Sequence, residues 1–125
     1  MSDETRVDVL RRLVDAFNRQ DVDAAAELFA VHGVWEASRG SEIWGRRFSG
    51  LDELRRGMAE RFRALPDGRY SDDTHFVCGD RGFSEWTFEA TAADGSAMKV
   101  RGCDIWAFDG DKIARKNSFW KIVER

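Results

Sequence analysis

Between Asp3 and Arg19 the apolar residues Val7, Leu10, Leu13, Val14 and Phe17 recur at helical spacing, with Arg11, Arg12 and Asp15 on the opposite side. That pattern predicts an amphipathic helix. Asp21 is placed to cap a second, short, alanine-rich helix over Val22 to Phe29 with Leu28 and Phe29 turned inward. His32-Gly33 interrupts it, and Val34-Trp35-Glu36-Ala37 reads as a short strand. Ser38 to Gly50 reads as a loop carrying Trp44, Arg46 and Arg47. Leu51, Leu54, Met58, Phe62 and Leu65 then form the stripe of a third helix, closed by Pro66-Asp67-Gly68. Arg69 to Cys78 predicts a strand, and Gly79-Asp80-Arg81-Gly82 a turn. Three long strands follow, from Gly82, from Met98 and from Lys112 to Val123, joined by turns at Asp94-Gly95 and Asp109-Gly110-Asp111. Helices gathered early and a meander after them predict an α+β layer, an antiparallel sheet with helices on one face.

Composition narrows the class. The chain has 125 residues, enough for one domain with its own core, so a single domain over residues 1–125 is expected. The net charge is −3 with both signs interspersed, which argues against nucleic acid or an anionic membrane as the main partner. The start is acidic and has no apolar leader-like run, no stretch approaches membrane-span length, and Cys78 and Cys103 are the only cysteines. A cytoplasmic protein with reduced thiols is the expectation. Nine Phe and five Trp need a core, a pocket or an interface.

The turns set a register for the meander. A two-residue Asp94-Gly95 turn pairs Glu85 with Asp104 and Thr87 with Gly102. A three-residue Asp109–Asp111 loop pairs Asp104 with Lys116 and Gly102 with Ser118, whereas a two-residue loop brings Arg115 opposite Asp104. The first choice makes Glu85, Asp104 and Lys116 neighbours across three strands. Periodicity leaves the inward face open, because both faces are partly apolar. One carries Phe83, Glu85, Thr87, Asp104, Trp106, Lys116, Ser118 and Trp120, and the other Trp86, Phe88, Cys103, Ile105 and Phe119.

Three segments carry a family resemblance: Phe17-Asn-Arg-Gln-Asp-Val-Asp-Ala-Ala-Ala-Glu-Leu-Phe-Ala30, Trp44-Gly-Arg-Arg-Phe-Ser-Gly-Leu-Asp-Glu-Leu54, and Gly102-Cys-Asp-Ile-Trp-Ala-Phe-Asp-Gly-Asp-Lys-Ile113. In order and spacing the chain resembles the nuclear transport factor 2-like superfamily, which includes SnoaL-like polyketide cyclases, ketosteroid isomerases, limonene epoxide hydrolases and scytalone dehydratases. The resemblance implies an α+β cone, a curved antiparallel or mixed sheet with the three helices of the N-terminal half packed on its concave face. Asp104 matches the isomerases' pocket carboxylic acid, which selects the Asp104 face as the pocket face. The other face, with Trp86, Phe88, Ile105 and Phe119, would then be an exposed apolar surface, and dimerisation through this sheet is common in the family. Ala37 and Leu13 stand where a ketosteroid isomerase has its general base and its tyrosine, so that activity is not expected.

On this reading Asp104, Glu85 and Lys116 are the candidate catalytic residues. Paired carboxylates drive one pKa up, a neighbouring ammonium draws one down, and a tuned carboxyl can move a proton as isomerisation, cyclisation or dehydration needs. The competing reading of the same trio is a buried ion pair that orients strands. Trp35, Trp106 and Trp120 are candidate walls for an apolar ligand, with Thr87, Ser118 and His32 as polar contacts, or else core and loop residues. Glu36 reads as a surface residue. Arg46 and Arg47 read as solvated loop residues or as a gate for an anionic ligand. No phosphate-binding glycine loop, Cys-X-X-Cys pair, metal-ligand spacing or Ser-His-Asp arrangement is visible, so no cofactor and no metal are expected. The function expected is a cofactor-independent isomerase, cyclase or lyase acting on a hydrophobic small molecule bearing a carbonyl or a ring. The alternative is a non-catalytic ligand-binding or protein-interaction module.

Overall fold

The computed structural model describes residues 2–124; Met1 and Arg125 lie outside the described residues. Helix α1 spans Asp3–Arg19, as its periodicity predicts. Ser2 caps it by accepting the Thr5 N–H, Asp3 and Glu4 sit in its positive first turn, and Gln20 closes it in a left-handed conformation. Asp21 caps α2 by accepting the Ala24 N–H at 3.0 Å. This helix covers only Val22–Ala26. The predicted extension to Phe29 is overridden by long-range pairing: Phe29 lies beside Ile113, and the Ile113 N–H donates to the Leu28 carbonyl. Strand β1 therefore runs Phe29–Glu36, straight through His32-Gly33. The expected loop contains a further short strand, β2, Arg47–Ser49. Helix α3 spans Leu51–Ala64, with the Glu53 carboxylate reaching back to the Ser49 N–H. Strands β3 (Arg69–Cys78), β4 (Arg81–Thr91), β5 (Ala97–Asp109) and β6 (Lys112–Trp120) complete the chain.

The six strands form one sheet in the order β2-β1-β6-β5-β4-β3. Among the described residues only the β1–β6 pair is parallel. This is the expected α+β architecture, a mixed sheet with three helices over it. Helix α1 packs on β3, and α3 on β1 and β2. The core between them joins Leu10, Leu13 and Phe17 of α1, Leu54 and Met58 of α3, and Tyr70, Trp86, Phe88, Trp106, Phe108 and Ile113 of the sheet. Polar ties from both ends fix α1, among them the Asp3 carboxylate accepting the Gly79 N–H at 3.1 Å. Asn18 brackets Tyr70, donating to its carbonyl at 2.9 Å and accepting its N–H at 2.8 Å. Arg6 donates to the carbonyls of Gly79 and Gly110 in two separate turns.

The register differs from expectation in one decisive way. Strands β4 and β5 end at the pair Thr91–Ala97, so the connection is Ala92–Ser96, closed by hydrogen bonds from Ala92 N–H to the Ser96 carbonyl and from Gly95 N–H to the Ala92 carbonyl. An odd-length loop in place of the two-residue turn moves every β4 side chain to the other face. Ser84, not Glu85, stands beside Asp104, and Glu85 stands beside Cys103. Trp86 and Phe88 consequently face the core, 1% and 2% exposed. They are not part of the outer surface assigned to them, whereas Phe83, Ile105 and Phe119 are on it. The β5–β6 loop is the two-residue Gly110-Asp111, but the register shifts by one residue between Ala107 and Phe108. That bulge restores the parity, so Asp104, Trp106, Lys116, Ser118 and Trp120 share the inner face as expected, with Ser118 rather than Lys116 directly opposite Asp104.

Candidate functional site

Among the described residues, two polar clusters and an open cavity lie at separate places on the helix side of the sheet. The first cluster surrounds Asp104. Its Oδ1 accepts the Lys116 ammonium at 2.7 Å and the Ser118 hydroxyl at 2.6 Å, and its Oδ2 accepts the Trp86 indole N–H at 2.8 Å. Lys116 also donates to Ser118 Oγ at 3.0 Å, and its ammonium lies 5.3–5.8 Å from the ring centres of Trp106, Phe17 and Trp35. Both charged residues are 3% exposed. The space they adjoin, lined also by Leu13, Val14, Phe17 and Tyr70, is about 10 Å³. That is room for one water at most. Lys116 reaches Asp104 as a diagonal neighbour, so two of the three expected catalytic side chains do meet. Glu85 does not join them. It lies on the outer face, half-exposed, and receives Arg101 at 2.9 Å. Thr87 is on that face too, accepting from Arg101.

The second cluster is an aspartate–histidine–serine chain that the sequence reading missed. Asp73 Oδ2 meets His75 Nε2 at 2.7 Å, and His75 Nδ1 meets Ser84 Oγ at 2.6 Å. Ser84 is fully buried and accepts the Trp106 indole N–H at 2.8 Å. Its hydroxyl is thus enclosed and already engaged, so the chain ties β3 to β5 and does not present a free nucleophile. The signal was the pairing of His75 with Ser84 across β3 and β4.

The cavity has a volume of about 730 Å³ and opens where β1 and β6 end. Trp35, Phe48 and Trp120 supply its aromatic walls, Met98, Leu65, Ala92 and Ala93 its apolar rim, and Ser38, Arg39, Arg46, Glu60 and Arg61 its polar groups. Local sequence builds this shape. The β1–β2 pairing sets Trp35 against Phe48, and their rings stack at 5.1 Å with 28° between planes. Gly57 lets the Phe48 ring lie on α3, since a Cβ there would stand 2.7 Å from it. Trp120 packs on Phe88 at 5.2 Å, and Arg61 lies over both rings, at 4.7 and 5.0 Å, while donating to the Tyr70 hydroxyl at 3.1 Å. Arg46 donates to Glu60 at 3.0 Å. The Trp35 indole N–H donates to Ser118 at 3.3 Å, which links the cavity wall to the Asp104 cluster behind it.

Of the expected ligand contacts, Trp35 and Trp120 line the cavity. Trp106 and Ser118 lie behind the wall, and Thr87 is outside. His32 does not line it either: it is exposed and faces Asp109 at 3.4 Å. Arg46 lines it, while Arg47 turns to the outer face. There Glu36, expected at the surface, is 2% exposed. Its carboxylate is bracketed by Arg47 at 2.6 and 3.0 Å and by Arg115. Burial pushes the Glu36 pKa up, but the hydrogen bonds and charges of the two guanidinium groups outweigh it and hold the carboxyl below its ordinary value. Cys103 lies on the outer face as expected. Burial first, then the nearby Asp104 and Glu85, push its thiol pKa up.

A mixed sheet with three helices over it and an open apolar cavity at its end is the nuclear transport factor 2-like fold. The profile of the SnoaL-like domain matches residues 10–116, so the chain belongs to the SnoaL-like family. Solved structures agree on the fold. A candidate polyketide cyclase from Xanthomonas campestris superimposes with a TM-score of 0.84 at 15% identity, covering 95% of this chain and 92% of that one. Another from Pseudomonas putida gives 0.83 at 18%, covering 94% and 92%. A protein with ketosteroid isomerase-like fold from Catenulispora acidiphila, in complex with trimethylamine, gives 0.81 at 13%, covering 91% and 85%. No curated protein matches the chain.

Proposed function

We propose that this protein is a cofactor-independent small-molecule enzyme of the isomerase, cyclase or lyase type. Its substrate is a ring or carbonyl compound held in the 730 Å³ cavity. The observation that carries the reading is the cavity itself. Its size lies within the range that takes drug-sized molecules, its walls are aromatic, and its polar groups are few and convergent. Among the described residues Glu60 is the only carboxylate lining it. Glu60 therefore takes the proton from a carbon next to the carbonyl and returns it to a second position, and the Arg46 guanidinium beside it steadies the oxygen on which negative charge develops. Asp104, Lys116 and Ser118 act behind the wall, holding the Trp35 indole in place through Ser118. Glu85 has no part in this scheme.

The test is deuterium exchange. 2-Tetralone in D₂O should lose its α-proton NMR signals faster with the protein than in buffer. Glu60→Gln should abolish the acceleration while the quenching of tryptophan fluorescence on binding, and the melting temperature, stay unchanged. Exchange that persists in Glu60→Gln removes Glu60 from the role. Binding with no exchange in the parent protein selects the alternative, a non-catalytic binding module.

The outer sheet face supports a second copy of this chain as partner. Phe76, Phe83 and Phe119 are 63%, 38% and 48% exposed there, with Ile105 between the strands of the last two. Light scattering should give twice the chain mass, and Phe119→Asp should halve it; a monomeric parent protein removes the claim.

A further inference from the structure

The charges lining the cavity are unbalanced. Three guanidinium groups, Arg39, Arg46 and Arg61, face one carboxylate, Glu60. Glu60 is already engaged by Arg46. Arg61, half-buried, has the Tyr70 hydroxyl as its hydrogen-bond partner and two aromatic rings beneath it, but no carboxylate among the described residues. Arg39 has no carboxylate among them either. Of the other part-buried arginines, Arg55 holds Asp23, Arg101 holds Glu85 and Asp72, and Arg6 is taken up by two backbone carbonyls. A partly buried cation held rigid by ring stacking, with most of its five donors unused, is arranged for a planar anion. The apolar walls set the rest of the ligand. The Trp35–Phe48 stack and Trp120 offer flat faces, and the volume holds several fused rings.

We propose that the ligand of this cavity is an acid: a flat aromatic or polyunsaturated ring system bearing a carboxylate, with its ring against Trp35, Phe48 and Trp120 and its negative charge met by Arg39 and Arg61. The inference rests on the cavity being the ligand site and adds the charge of the ligand. It also assigns Arg39 and Arg61 to recognition, which leaves Arg46 and Glu60 for the chemistry.

The experiment compares two probes of the same shape, 2-naphthoate and 2-naphthamide, by tryptophan fluorescence quenching at low and high sodium chloride. The acid should bind about tenfold more tightly than the amide, which corresponds to about 1.4 kcal/mol. That preference should shrink in high salt. Arg39→Gln and Arg61→Gln should each weaken naphthoate severalfold and leave naphthamide unchanged. The amide serves as the check that each variant is folded. Equal affinity for the two probes overturns the charge inference and leaves the cavity reading standing. So does a preference that survives in both variants. Binding of neither probe to the parent protein overturns both.

Discussion

Removing one partner of the Asp104–Lys116 pair should destabilise the fold severely, and removing the second as well should cost nothing further. Lys116→Met leaves the Asp104 carboxylate at 3% exposure with only the Trp86 N–H and the Ser118 hydroxyl as donors. Asp104→Leu leaves the ammonium with a single acceptor, Ser118 Oγ, among three aromatic rings. Breaking a buried ion pair in this way costs about 3–5 kcal/mol. The ring faces around Lys116 offset part of the second loss, by about 0.5–2 kcal/mol. For a chain of this length a loss of that size lowers the melting temperature by about 10–20 °C. The double variant Asp104→Leu/Lys116→Met removes both charges and leaves one indole N–H and one hydroxyl short of partners, at about 1–3 kcal/mol each. It should be no less stable than the worse single variant, so the two substitutions should couple by several kcal/mol. Urea unfolding at neutral pH, followed by circular dichroism, measures all four proteins. Single variants within 1 kcal/mol of the parent, or a double variant that simply adds the two losses, would refute the account of this cluster as a closed structural pair.

Glu36 supplies a pH dependence. Its folded pKa lies below the unfolded value, so its contribution to stability is complete above the ordinary carboxylate range and is lost as pH falls through the lowered pKa. Glu36→Gln should therefore lower stability at neutral pH and flatten the acid limb of the stability curve; an unchanged limb counts against the bracketing by Arg47 and Arg115. Gly102→Ala places a Cβ 2.5 Å from the Phe119 carbonyl oxygen and from the Trp86 ring. It should lower the urea-unfolding free energy by about 1–3 kcal/mol or more, and a loss under 0.5 kcal/mol would mean that Trp86 is not held where it is described.

The helices were legible, the end of α2 aside, because their signals are local. The apolar stripe of α1 and the Asp21 cap need no partner, and the Pro66-Asp67-Gly68 stop ends α3 wherever it packs. The register was not, because parity hangs on a single loop residue. Asp94-Gly95 reads as a two-residue turn, yet it sits inside a five-residue connection. The hydrophobic pattern gives no correction when Phe83, Ile105 and Phe119 make the outer face as apolar as Trp86, Phe88 and Trp106 make the inner one. At the other turn a bulge compensated, so Asp104, Lys116 and Ser118 were gathered on one face by a route the sequence does not display. Glu36 was misplaced for a different reason. Its arginines come from β2 and from the parallel neighbour β6, which no local pattern connects. The cavity lining escaped similarly: it is drawn from β1, the loop after it, β2, α3 and its end, the Ala92–Ser96 connection, the start of β5 and the end of β6. Only Trp35, Trp120 and Arg46 of that set were read from the sequence as candidate ligand contacts.

The central claim is that ligand occupies the open cavity and not the space beside Asp104 and Lys116. A crystal structure of the protein with 2-naphthoate bound tests it most directly. The account predicts density for the rings against Trp35, Phe48 and Trp120 with the carboxylate on Arg39 or Arg61. Density among Leu13, Val14, Phe17, Asp104 and Lys116, with α1 displaced to admit it, would contradict the account and return Asp104 to the chemistry.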